Sequence, residues 1–402
     1  MPEKFITGLD IGSTQIRIAV GNIQESGLLQ IVTAVEEPSE GINKGIITNL
    51  EEAVTSLSRV LEKAERMVGH SITEVCVGIS GTHIISQNSR GVVSVANAHG
   101  EIKEEDISRV LEAAQTVATP PNYEILHVIP LSFTVDSQSG IRDPLGMTGV
   151  RLEVEAQVIE GFSNQIKTLT KCLSRAGLSI SDLVFSILAT AEAVLDRRQK
   201  ELGVAVVNLG ATTTSLAVFE EGDLLMAKVL PIGGRHITSD LTIGLRISFD
   251  LAESIKLLYG SALPETVSKE EKINLAELDE KEKEIFSKKQ IAEIIEARSE
   301  EIFKLVDKEL AGIKRSGKLP AGIVLTGGGA KLSGLELLAK KIFRLPVSIG
   351  LPKNVIFTIE KANDPSFSTA VGLVIWGKEL GLITRKKPFS LIEIFKNIFK
   401  KI

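Results

Sequence analysis

A chain of 402 residues with 43% hydrophobic and 24% charged residues has an ordinary globular composition and is long enough for about two to four domains. Its net charge of −5 and its aromatic content of 4% supply neither the phosphate neutralisation nor the base stacking that a nucleic-acid partner requires, so that class is set aside. Met1-Pro2-Glu3-Lys4 lacks the flank and apolar run of a signal peptide, and nowhere do about 20 apolar residues run together, which points to a cytoplasmic protein.

In chain order, residues 5–35 read as consecutive strands, and Leu50 to Val68 carries helical periodicity with Glu and Lys opposite its apolar face. A strand over 74–80 follows. The next block alternates strand (91–96), helix (104–118) and strand (124–136), then a turn-rich stretch and a strand over 150–159, and reads as a compact insertion. Helices are expected over 163–176 and 187–199, and Val204 opens a second half. Residues 237–317 read as mostly helical and heavily charged, with solvated faces. A short β-branched strand over 321–326 runs into Gly327-Gly328-Gly329, and helices over 332–342 and 366–380 follow. Cys76 and Cys172 lack metal-ligand spacing and read as core thiols in a reducing compartment. The five histidines are scattered, and each reads as a surface or hydrogen-bonded residue.

One stretch returns in register half a chain later. Leu9-Asp10-Ile11-Gly12-Ser13-Thr14-Gln15-Ile16-Arg17-Ile18-Ala19-Val20 aligns with Val207-Asn208-Leu209-Gly210-Ala211-Thr212-Thr213-Thr214-Ser215-Leu216-Ala217-Val218. Each copy reads as two strands joined by a tight turn of Gly and small hydroxyl residues, which exposes backbone N–H groups and suits an anion. Two such turns could close on a polyphosphate from opposite sides of a cleft. Asp10 ends an apolar strand before the first turn, a position that suits water-mediated contact with Mg²⁺, which keeps several waters and takes one or two carboxylates plus phosphates. Asn208, at the matching position, keeps the shape and loses the charge. Glu253 and Lys256 share a helix face and either form an ordinary ion pair or present an acceptor and a cation to a ribose or base. The glycine run at 327–329 lets a backbone approach a flat ligand. No GxxxxGK[ST] occurs and the glycines do not fit GxGxxG, which excludes P-loop and Rossmann readings.

Two phosphate turns, Ala252-Glu253-Ser254-Ile255-Lys256 on a helix and a strand ending in three glycines, in this order, resemble the actin, Hsp70 and sugar-kinase superfamily. Within it the chain is most similar to the FtsA family of bacterial cell-division actin homologues. The stretches that carry this are His127-Val128-Ile129-Pro130 and Gly140-Ile141-Arg142-Asp143-Pro144-Leu145-Gly146-Met147-Thr148-Gly149-Val150-Arg151-Leu152, which resemble the subdomain peculiar to that family. The resemblance implies an α/β, actin-like, two-lobed fold with duplicated RNase H-like domains. The first lobe core would occupy 1–82 and 163–200, with the inserted subdomain at 83–162. The second would occupy 201–236 and 319–384, carrying a helical subdomain over 237–318 that binds the tail of FtsZ. ATP and Mg²⁺ would be the cofactors: Gly12, Ser13, Thr14 and Gln15 on one side and Gly210, Ala211, Thr212 and Thr213 on the other would face phosphates, with Asp10 reaching the metal through water. Glu253, Lys256, Gly327, Gly328 and Gly329 would surround the adenosine, and Gly233 and Gly234 would border the nucleotide and lead into the FtsZ-binding subdomain. Asn208 stands where actin-like proteins have Asp and Gly210-Ala211 where they have Gly-Gly, departures that bear on hydrolysis more than on binding, and Gln15, where actin has Lys, removes a charge partner of the phosphate. A small-molecule kinase of the superfamily and a pilus-type scaffold are the competing classes.

The tail is the second strong feature. Leu391, Ile392, Phe395, Ile398, Phe399 and Ile402 fall on one helical face with Lys396 and Lys400 opposite. From Arg385 onward six basic residues face one acidic, which leaves the remaining residues at −10. A basic amphipathic helix over 385–402 reads as an anchor on an anionic membrane surface, on the inner face of the cell membrane. The implied partners are FtsZ, further copies of the chain in a filament, that surface, and other division proteins.

Overall fold

In the computed structural model, the described residues are 5–97, 99–116, 119–268, 270–278 and 284–380. Three strands open the chain as an antiparallel meander, β1 (Phe5–Ile11), β2 (Gln15–Ile23) and β3 (Leu29–Pro38). A short pairing of β4 (Ile42–Asn43) with β5 (Ile46–Ile47) leads to α1 (Leu50–Val68), whose first turn is capped by the Asn49 side chain. Then β6 (Glu74–Ile79) lies parallel beside β1. The chain next leaves for the inserted unit, made of β7 (Ile84–Ser94), α2 (Glu104–Thr116), β8 (Tyr123–Val135), β9 (Gln138–Ile141) and β10 (Arg151–Phe162), a four-stranded sheet in the order β7-β10-β8-β9. Its own small core joins Val110, Leu111 and Ala114 of α2 to Phe133, Leu152 and Val154 of the sheet. On return come α3 (Ser163–Arg175), β11 (Ser179–Phe185), α4 (Ser186–Val194) and α5 (Arg197–Leu202).

The second lobe repeats the first. β12 (Val204–Leu209), β13 (Thr214–Glu220) and β14 (Asp223–Leu230) form the same antiparallel meander, and β17 (Ile323–Thr326) takes the place of β6, parallel beside β12. Between them run α6 (Gly234–Leu245), α7 (Phe249–Tyr259), a small hairpin of β15 (Lys272–Asn274) with β16 (Ile285–Ser287), and the long α8 (Lys288–Gly312). After β17 come α9 (Leu335–Phe343), β18 (Val347–Ile349), β19 (Ile356–Phe357) and α10 (Ser368–Glu379). The sheets of the two lobes read β11-β6-β1-β2-β3-β19 and β14-β13-β12-β17-β18; read from its other edge, the second repeats the order of the first five strands of the first, to which β19 is added.

Helices α4 and α10 cross between the lobes and bury nearly every side chain, so neither shows a one-sided apolar stripe. Glycines set their approach. A methyl group added at Gly372 would stand 1.9 Å from the Ala189 carbonyl oxygen, and one at Gly8 would stand 2.3 Å from that of Ala370.

The structure corrects or adds to the expected elements at four points. The expected helix over 187–199 is two, because Asp196 leaves the helical region and caps α5 with a reciprocal Asp196–Gln199 box. The inserted unit's first strand begins at Ile84 rather than 91. Strands β11 and β14 were not anticipated: the polar Ser179, Ser181 and Asp182 interrupt β11's alternation, and β14 carries Asp223 and Lys228. The charged segment contains the β15–β16 hairpin as well as helices. The tail residues Leu391, Ile392, Phe395, Lys396, Ile398, Phe399, Lys400 and Ile402 lie outside the described residues. Cys76 and Cys172 are buried free thiols, as expected, and no helix among the described residues is long and apolar enough to cross a membrane.

Candidate functional site

The two aligned turns share their geometry. In the first, the Gly12 N–H donates to the Gln15 carbonyl at 3.1 Å, and in the second the Gly210 N–H donates to that of Thr213 at 2.9 Å. A methyl group at Gly12 would stand 2.6 Å from the Gln15 oxygen, and one at Gly210 would stand 2.8 Å from the Thr213 oxygen, so glycine is required at the same point of both turns. The turns meet across the lobes: Thr212 Oγ1 donates to Ser13 Oγ at 2.8 Å and accepts from the Lys44 N–H at 3.2 Å. Ser80 Oγ, at the end of β6, lies 3.4 Å from Ser215 Oγ in β13.

Asp10 sits opposite Arg17 in the β1–β2 register, yet Arg17 pairs with Glu36 at 3.0 Å and leaves the Asp10 carboxylate without an ion pair among the described residues. Burial pushes its pKa up to about 6, against a smaller opposing pull from Arg17. A carboxylate that the fold strains to keep charged is relieved by a cation, and no group of three or more His, Cys, Asp or Glu side chains among the described residues is placed to hold a metal by itself. One carboxylate beside two turns of Gly and small hydroxyl residues has the chemistry of a hydrated Mg²⁺ site, which takes one or two carboxylates and fills its other positions with water and phosphate oxygens.

Asn208 behaves differently from Asp10. Its amide nitrogen donates to Thr369 Oγ1 at 3.1 Å and to Thr190 Oγ1 at 3.4 Å, joining the end of β12 to α10 and α4. Its amide is thus engaged between the lobes. The three glycines after β17 divide the labour. Gly327, at φ +86°, lies so close to Asn208 that a methyl group there would stand 2.2 Å from Asn208 Oδ1, and one at Gly329 would stand 3.0 Å from the Leu209 oxygen. Gly328 is open, with Ser366 Cβ 3.9 Å from the position its methyl would take.

At the other edge of the turn, the Gly234 and Arg235 N–H groups donate to the Gly210 and Ala211 carbonyls at 2.9 and 2.7 Å. A methyl at Gly233 would meet the same two carbonyl oxygens at 2.6 and 2.8 Å, so Gly233 and Gly234 brace the second turn. Glu253 and Lys256 form the ion pair, at 2.7 Å, and both engage Thr238 of α6; Lys256 Nζ also donates to the Gly234 carbonyl at 3.3 Å. Burial lowers the Lys256 pKa, with Glu253 opposing. Thus the structure gathers Asp10, both turns, the three glycines and the Glu253–Lys256 pair around the junction of the lobes. It adds Lys44, Ser80, Thr190, Thr238 and Thr369, which no motif marks, and Ser215, from the second strand of the repeated hairpin. Only the position of Ser80 at a strand end before Gly81, as in the turn after β1, could have drawn notice.

The family model described as "Cell division protein FtsA" matches residues 205–372, and that described as "SHS2 domain inserted in FTSA" matches residues 81–160. The chain is 39% identical to the cell division protein FtsA of Pseudomonas aeruginosa over 93% of its length and 89% of the relative's. It is 38% identical to that of Bacillus subtilis over 97% and 88%, and 34% identical to that of Escherichia coli K12 over 94% and 91%. Among solved structures, the PilM-PilN type IV pilus biogenesis complex superposes with a TM-score of 0.68 at 17% identity, covering 92% of this chain and 98% of that one. MreB 5 of Spiroplasma citri bound to AMPPNP superposes with a TM-score of 0.56 at 14% identity, covering 94% and 97%. These structures share the actin-like fold, and on the strength of the sequence relatives, matched over most of their length, the chain belongs to the FtsA family of cell division proteins.

Proposed function

We propose that this cell-division protein binds ATP with Mg²⁺ between its two lobes, assembles into filaments, and tethers FtsZ filaments to the inner face of the membrane. The observation that carries the nucleotide part is the pair of superimposable turns meeting at Ser13 and Thr212 beside the unpaired Asp10. Their small hydroxyl residues and turn backbone suit phosphate oxygens, and Asp10 would hold the metal through water. Gly328 leaves the open approach for the nucleoside, and Glu253 with Lys256 offers it an acceptor and a cation. The fold is shared with MreB 5, solved with AMPPNP.

Family membership supports FtsZ as partner and the segment 237–318 as its contact. The basic amphipathic pattern of 385–402 supports the membrane contact. Nucleotide turnover is expected to be slow, below about 1 s⁻¹, the low end of ordinary enzymes, since Asn208 supplies no carboxylate to order metal-bound water. Liposome flotation with and without ATP tests the whole reading. Wild type should float with anionic vesicles, more so with ATP, and co-pellet with FtsZ. A folded variant lacking 238–317, which also loses Glu253 and Lys256, should lose co-pelleting; retained co-pelleting moves the FtsZ contact elsewhere.

A further inference from the structure

We propose that Lys44 is the cation that meets the terminal phosphate of the bound nucleotide, so that the protein prefers ATP to ADP through a residue outside both turns. This rests on the nucleotide reading above. Neither turn carries a cation: Gly12 to Gln15 and Gly210 to Thr213 offer backbone N–H groups, hydroxyls and one amide. A triphosphate keeps net negative charge beside one Mg²⁺, and a positive side chain from elsewhere strengthens its hold. Three cations beside the turns are engaged. Arg17 pairs with Glu36 at 3.0 Å, Lys256 pairs with Glu253 at 2.7 Å, and the Arg235 guanidinium lies over the Phe249 ring, 4.8 Å from its centroid.

Lys44 is placed differently. With Gly45 it forms the two-residue tip of the β4–β5 hairpin, and that tip is wedged where the lobes meet. The Lys44 N–H donates at 3.2 Å to Thr212 Oγ1, which donates in turn to Ser13 Oγ at 2.8 Å, so the lysine backbone is joined to one residue of each turn. A methyl at Gly45 would stand 2.1 Å from the Ser80 carbonyl oxygen, and one at Gly81 would stand 3.1 Å from that of Lys44, so the tip has no room to slide toward β6. The Lys44 side chain is exposed, and its ammonium has no ion pair or hydrogen bond among the described residues. Its flexible four-carbon stem lets the charge follow an oxygen held at Ser13 and Thr212. The direction of approach selects the phosphate. Gly234, with Lys256 against its carbonyl, lies at the Gly210 end of the second turn, whereas Lys44 comes to the Thr212 end, away from the residues offered to the nucleoside. The backbone marks the position too. Lys44 and Gly45 have φ of +50° and +76°, a left-handed pair for which Asn-Gly is a favoured sequence. A lysine there carries a conformational cost that its charge on a ligand offsets.

The test measures the affinities of AMPPNP–Mg²⁺ and ADP–Mg²⁺, together with the melting temperature, for wild type, Lys44→Asn and Lys44→Arg in the full chain. Lys44→Asn keeps the backbone N–H and suits the turn, so it should melt no lower than wild type. It should bind AMPPNP about tenfold or more weakly, and ADP within about twofold of wild type. Lys44→Arg keeps the charge and should bind AMPPNP within about threefold of wild type. Wild-type AMPPNP affinity in Lys44→Asn, an equal loss for ADP, or a Lys44→Arg variant as weak as Lys44→Asn each overturns the proposal and leaves the nucleotide reading standing. A Lys44→Asn variant that melts below wild type overturns it as well, since the side chain would then serve the fold. Wild type that binds neither nucleotide overturns both.

Discussion

Asp10 and Asn208 occupy one position in two copies of a hairpin and have separate work. The Asp10 carboxylate holds its proton up to about pH 6 in the fold, against 3.8 in the unfolded chain. Between those values the native state binds more protons than the unfolded state, so stability falls as pH rises through that window, and the full cost is present above it. Asp10→Asn should therefore raise the melting temperature of the nucleotide-free protein at pH 7.5, by an amount equivalent to about 1–3 kcal/mol, with little gain at pH 4. The same variant should lose the Mg²⁺ dependence of nucleotide binding. Melting curves at the two pH values check the first part, and equal gains at both would show that burial is not the cause. The glycines after β17 give a sharper contrast. Gly327→Ala sets a methyl 2.2 Å from Asn208 Oδ1 at φ +86°, and should cost about 2 kcal/mol or more of stability. Gly328→Ala has room, with its nearest neighbour 3.9 Å away, and should keep the melting temperature while weakening ATP binding. Calorimetry on both separates the packing glycine from the ligand-facing one.

At the scale of elements, the periodic ones were readable and the saturated ones were not. α1 alternates Glu and Lys against Ala53, Leu57, Val60 and Leu61, and its bounds follow from that stripe, from Asn49 as N-cap and from Gly69 in the left-handed region as C-cap. α4 is buried all round apart from Glu192 and passes into α5 through a two-residue break, which no periodicity reveals. β11 escaped notice because Asp182 sits among its apolar residues, where the Trp376 indole N–H donates to it at 2.9 Å. That partner is 194 residues away, so no local window contains it. The α4–α10 crossing makes a prediction at this scale. Gly372→Ala drives a methyl to within 1.9 Å of the Ala189 carbonyl, where neither side is a flexible chain, and should destabilise by about 1–3 kcal/mol. Since Thr190 and Thr369 in these helices hold Asn208, nucleotide affinity should fall with it. Thermal melts and nucleotide titration of the same variant check the coupling, and a stability loss with unchanged affinity would confine the crossing to a packing role.

For the whole molecule, nucleotide, filament and membrane are linked by avidity in the proposed function. Six apolar side chains of one tail, each contributing ~1 kcal/mol at the headgroup boundary, and basic residues at about 1 kcal/mol each near anionic lipid would stand against an ordering cost of about 1 kcal/mol or more per residue. A single tail would therefore bind reversibly. A filament would present many tails at high effective concentration, so attachment should follow assembly and rise steeply with protein concentration. Phe395→Glu combined with Phe399→Glu should leave ATP binding intact and abolish flotation. If that variant still floats, or if wild type ignores anionic lipid content, the tail is not the anchor.

By itself the sequence determined the duplicated hairpin, the residues of both turns, the glycine run, the spacing of Glu253 and Lys256, and the family, because these are contiguous patterns in which turn chemistry and periodicity act over a few residues. Only the tertiary structure decided that Ser13 and Thr212 touch, that Asn208 serves the α4–α10 crossing, and that Gly327 and Gly329 pack while Gly328 stays open. Most of those relations join residues far apart in the chain, up to 199 positions for Ser13 and Thr212. Their geometry is set by which faces of two sheets and two buried helices meet, and burial rather than local spacing gives each side chain its partner or withholds one.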